Sequence, residues 1–141
     1  MLTIASWDDV ARIALALPET EEGTTFGNRA WKVAHKPKPK AFAWYRPLNK
    51  SDVRALTELG REIPEGELLG VRTDGFHHRE ALLNELGQWV FSIPHFDNFP
   101  AVLVKLDDVP LDVLTELLTD AWAAMAPPKL AAQYVAEHDD T

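Results

Sequence analysis

The chain has 141 residues and is 46% hydrophobic, enough for one compact domain with a buried core. It has no cysteine, which excludes disulfides and thiolate metal ligands, and its net charge of −8 opposes unspecific attraction of the whole molecule to nucleic acid or to an anionic membrane. No apolar run approaches a membrane span and MLTIASWDDVARIAL lacks a basic leader region, so a soluble cytoplasmic protein with a single domain, 1–141, is expected.

Ser6 and Asp9 have capping-box spacing, and Val10, Ile13, Ala14 and Leu17 share one helical face until Pro18. The acidic PETEEG reads as a turn. AWKVAH and AFAWYRP read as strands, with KPKPK as the loop between them because proline withdraws ladder donors. Ser51 can cap a short helix through Val53 and Leu56 that Gly60 closes. LLGVRT is a third strand, and HHREALLNELG is a helix ended by Gly87. WVFSI and AVLVKL are strands flanking PHFDNFP, with Lys105 on a wet face opposite Val102, Val104 and Leu106. Pro110 suits a first helical residue, and Leu111, Leu114, Leu118, Ala121, Trp122 and Met125 form an apolar stripe ended by Pro127 and Pro128. KLAAQYVAEH is a last short helix. This order, α-β-β-(α)-β-α-β-β-α-α, predicts an α+β two-layer sandwich. Its sheet is mainly antiparallel with about five strands, and helices on one face cover it, the first and fourth among them.

Few patterns carry chemistry. Ser92, His95 and Asp97 are the residue types of a hydrolytic triad, but Ser92 and His95 have opposite parity along an extended chain and no nucleophile turn is present. Pro94 and Pro100 bracket the loop, Asp97 and Asn98 supply its turn, and His95 is either a turn residue or a ligand-binding group at a pocket rim. His77 and His78 are adjacent, so on a helix they diverge by about 100° and cannot share one ion. No metal site is expected. Neither GxGxxG nor a GK[ST] step occurs, so no cofactor has an anchor. Glu21 with Glu22, and Asp107 with Asp108, fall in expected turns where carboxylates solvate or cap.

Charge is segregated. Seven cations and no acid lie between Gly23 and Ser51, which leaves seven cations against 22 carboxylates elsewhere, a balance of −15. Within that island lysines alternate with Trp31, Phe42, Trp44 and Tyr45, a combination suited to phosphates and unstacked bases. The alternative is a solvated hairpin whose aromatics, Trp31, Phe42 and Trp44, point into the core while Lys32 lies on the wet face; adjacent Trp31 and Lys32 must take opposite faces. Trp122, on the apolar stripe, is expected in the core.

Taken together, the N-terminal helix ending in Leu-Pro, AWKV, WVFSIPHFDNFPAVLVKLDDV and LLTDAWAAMAPPKL resemble the MmcQ/YjbR family over nearly the whole chain. Pro94-His95-Phe96, Pro100 to Val104 and Ala121-Trp122 are the most specific parts. The resemblance implies a small α+β fold like those of CyaY and the secretion chaperones, and DNA binding through a double-wing arrangement of hairpins. The expectation is therefore a non-enzymatic DNA-binding protein of weak affinity. Lys36, Lys38 and Lys40 would meet phosphates, Lys32 and Arg46 would flank them, and His95 with Lys129 would add contacts from neighbouring loops. The alternative is a protein-interaction or small-ligand module with a pocket of Trp31, Arg72, His95 and Phe96.

Overall fold

A computed structural model describes residues 5–138. Helix α1 runs over Trp7–Leu15, and both halves of the Ser6/Asp9 capping box are made. Three strands follow, β1 Thr20–Thr25, β2 Asn28–Val33 and β3 Lys40–Tyr45, then α2 Lys50–Glu58, β4 Leu68–Arg72 and α3 Gly75–Glu85. The chain continues through β5 Val90–Phe91, a single 3-10 turn Pro94–Phe96, β6 Ala101–Lys105, α4 Leu111–Met125 and α5 Pro128–His138. All strand pairs are antiparallel, in the order β1-β2-β3-β4-β6-β5.

The fold class is the expected one, with six strands in place of about five. The added strand is β1: Glu21 and Glu22 sit in an edge strand paired with Lys32 and Trp31, not in a turn. Helix α2 starts two residues earlier than expected, because Asn49, not Ser51, caps it and Asp52 completes a capping box. Gly60 closes it at φ +67°. Pro110 lies just outside α4 as its N-cap. Strand β5 is only two residues long, since the chain leaves the ladder before Pro94, which has no N–H to donate.

Helices cover both sheet faces, not one as expected, because α2 packs on the face opposite α1 and α4. Trp31, Val33, Ala43, Leu69, Val71, Val102 and Val104 pack under α1, α3 and α4, where Val10, Leu82, Leu118 and Trp122 complete the larger core. On the other face Trp44, Leu68, Leu103, Ala101 and Phe96 pack with Leu56 of α2. The face that carries Lys105 is therefore not a wet one: Ala101 and Leu103 beside it are fully buried. A bulge decides which aromatics go where. Trp31 opposes Ala43 but Lys32 opposes Ala41, so Phe42 joins the Trp31 core while Trp44, two residues on, joins the opposite one.

Candidate functional site

On the Trp44 face, α2 leaves part of the sheet uncovered, and two adjoining concavities of about 550 and 710 Å³ lie there. They share Phe26, Trp44 and Phe99. The groove is framed by the two connections at the ends of β2: the two-residue turn Phe26-Gly27 and the Lys/Pro loop between Val33 and Lys40.

The smaller lobe holds the charge. Lys32, Lys38, Lys40 and Arg72 line it, and no described Asp or Glu lines either lobe. Lys32 extends its stem across Gly23 of β1, where an added Cβ would lie 3.8 Å from Lys32 Cε. Glu21 stands opposite Lys32 across the ladder, yet it lines neither lobe. Arg72 lies over the Phe99 ring, its Cζ 4.4 Å from the centroid. Its Nε is buried and makes no hydrogen bond to any described residue, and burial pulls the guanidinium below the ordinary arginine range. A desolvated cation without a counter-ion is poorly compensated, and an anion at that point would offset the cost.

The larger lobe is aromatic and amide-lined. Trp44 meets Phe99 edge-on at 6.1 Å and Phe96 at 6.4 Å, and Phe96 and Phe99 lie 5.7 Å apart. Asn28, Asn49 and Asn98 contribute side-chain amides, and His95 is exposed at the rim. The loop that carries these groups is held from behind: Arg79 on α3 donates to the carbonyls of Phe96 and Phe99. Arg61 likewise donates to the Ser92 carbonyl at 2.8 Å.

The expected residues divide accordingly. Lys32, Lys38, Lys40, Arg46, Arg72, His95 and Phe96 all line the groove. Lys36 is exposed on the Lys/Pro loop without lining it, and Lys129, at the start of α5, lines neither lobe. Arg46 is turned inward, its Nη1 2.8 Å from Asp52 Oδ2, and so is already paired. Trp31 does not belong to the pocket: it is fully buried on the opposite face, stacked on Trp7 at 6.2 Å with Arg29 over its ring. Arg29 in turn is held by two hydrogen bonds to Glu22. No hydrogen bond joins Ser92, His95 and Asp97 to one another among the described residues, and His78 uses Nδ1 to accept from the Asp74 N–H at the start of α3. Sequence reasoning missed Phe26, Phe99 and Arg79 as parts of the site. Only Phe99 carried a signal, through its place in the phenylalanine-rich loop.

The YjbR family model matches residues 15–124. The uncharacterised proteins Rv2570 of Mycobacterium tuberculosis and Mb2600 of Mycobacterium bovis are each 42% identical over 133 residues, covering 94% of this chain and 98% of theirs. The crystal structure of Deinococcus radiodurans protein DR2400, a DUF419 domain, superposes with a TM-score of 0.60 at 21% identity over 100% of this chain and 86% of that one. That likeness concerns the fold alone. No described helix is long and apolar enough to cross a membrane.

Proposed function

The chain belongs to the YjbR family, and from that premise we propose that it is a binding protein and not an enzyme, one that takes nucleic acid along the groove beside β2. One observation carries the reading. On a chain of net charge −8, Lys32, Lys38, Lys40 and Arg72 gather in a single lobe free of described carboxylates. The connections at the two ends of β2 act as the wings, and Lys36 extends the Lys/Pro loop toward phosphates beyond the groove. Arg46 contributes shape more than charge, since Asp52 neutralises it.

Binding is weak on this reading, about micromolar or poorer at physiological salt, because the acidic remainder of the molecule repels the same polyanion. The test is a fluorescence-anisotropy titration of labelled DNA at several salt concentrations, with the wild type and a Lys36→Gln, Lys38→Gln, Lys40→Gln triple variant. Affinity should fall with a log–log slope of about 0.9 per phosphate contact, and the triple change should flatten it by nearly three contacts' worth. Absence of saturable binding at low salt would reject nucleic acid and return the groove to a small-ligand or protein-interaction surface.

A further inference from the structure

We propose that the groove takes an unpaired nucleotide, with its base stacked under Phe26 and its phosphate on the Arg72 side. This rests on the nucleic-acid reading above and adds to it a substrate class and a residue. Phe26 and Gly27 are the two central residues of the β1–β2 hairpin, between paired Thr25 and Asn28, with φ of +52° and +78°. Two successive left-handed residues make a type I′ turn, whose first position favours Asn or Asp. A bulky aromatic there is a steric outlier. Phe26 is 96% exposed, so packing within the fold does not repay the strain. Yet Phe26 lines both lobes of the groove.

The two lobes offer different chemistry on either side of it. Arg72 and the lysines provide cations for a phosphate. The other lobe is lined by the rings of Trp44 and Phe99, and beside them by the amides of Asn28 and Asn98, whose side chains make no hydrogen bond to any described residue. An amide carries both donors and acceptors, which matches the edge of a nucleobase. In a duplex that edge is paired and both base faces are stacked, so the base cannot enter; an unpaired nucleotide can.

The experiment uses Phe26→Asn, which restores the residue the turn prefers, with Asn98→Ala as a second variant. Binding of a labelled oligothymidylate, of a labelled duplex and of thymidine monophosphate as competitor is measured at low salt. For Phe26→Asn the melting temperature should rise while affinity for the single strand falls roughly tenfold, the scale of one lost base-stacking contact, and affinity for the duplex falls by clearly less. Asn98→Ala should lower single-strand affinity without lowering the melting temperature. Displacement of the strand by the monophosphate identifies a free nucleotide as the occupant, and a lack of displacement identifies a strand segment; either agrees with the proposal. Single-strand affinity unchanged in both variants overturns it, even where lysine-dependent duplex binding persists and the reading above stands. Failure of both labelled probes and of the monophosphate to bind removes the two together.

Discussion

The Trp44 indole lies flat across the backbone of Gly70, so close that a Cβ on Gly70 would meet Cε2 at 2.7 Å and Cζ2 at 2.9 Å. Gly70 and Trp44 are also register partners on β4 and β3. The glycine is thus what lets a tryptophan form the floor shared by both lobes. Gly70→Ala should destabilise by about 1–3 kcal/mol through overpacking, and it should weaken ligand binding by lifting the ring into the groove. Denaturant unfolding with a parallel binding titration checks both. An unchanged midpoint would show that Trp44 yields freely.

Trp122 is fully buried on α4 and donates its Nε1–H to the Pro18 carbonyl at 3.0 Å, tying α4 to the connection between α1 and β1. Trp122→Ala should cost about 3–5 kcal/mol, read from the shift in denaturant midpoint. A loss below about 1 kcal/mol would contradict its place in the core.

Arg46 and Asp52 form an ion pair at 2.8 Å with side chains only 13% and 4% exposed. Asp52 also accepts from the Asn49 N–H to complete the α2 capping box. Removing the acid leaves a buried guanidinium unpaired, so Asp52→Ala should cost about 3–5 kcal/mol, against about 1 kcal/mol for the cap variant Asn49→Ala. Replacing both members of the pair, Arg46→Met with Asp52→Leu, should recover much of the loss. Thermal unfolding of the three variants tests the ranking, and a double variant no better than Asp52→Ala would contradict it.

Glu22 titrates below the ordinary glutamate range because Arg29 hydrogen-bonds its carboxylate. The folded state therefore holds fewer protons on Glu22 than the unfolded chain does. Its stabilising contribution is complete above the ordinary glutamate pKa and fades as pH falls through the lowered folded value. In an NMR titration, Arg29→Gln should move the Glu22 midpoint upward toward that ordinary range. An unmoved midpoint would contradict the pairing.

How far the sequence revealed this molecule depended on how local each signal was. Ser6 with Asp9, the α4 stripe and the loop character of KPKPK rest on spacings within one element, and they hold in the structure. Strand β1 did not declare itself because TEEGTT is an edge strand with no buried residue, and hence no apolar alternation to read. The adjacency of Trp31 and Lys32 correctly separated them onto two faces, but the groove lies on the lysine's side, so Trp31 drops out of the site. The bulge opposite them sent Phe42 and Trp44 to different cores, which strict alternation could not anticipate. Phe26 stayed hidden for another reason: Phe-Gly lacks the Asn or Asp that marks a type I′ hairpin.

The most direct measurement is NMR shift mapping of the labelled protein titrated with a short single strand at low salt, repeated at high salt. Saturable movement is expected at Lys32, Lys38, Lys40, Arg72 and the Trp44 indole, fading as salt rises, with the Trp31 and Trp122 indoles unmoved. Shifts confined to the α1 and α4 face, or none at the groove at any salt concentration, would contradict binding in the groove.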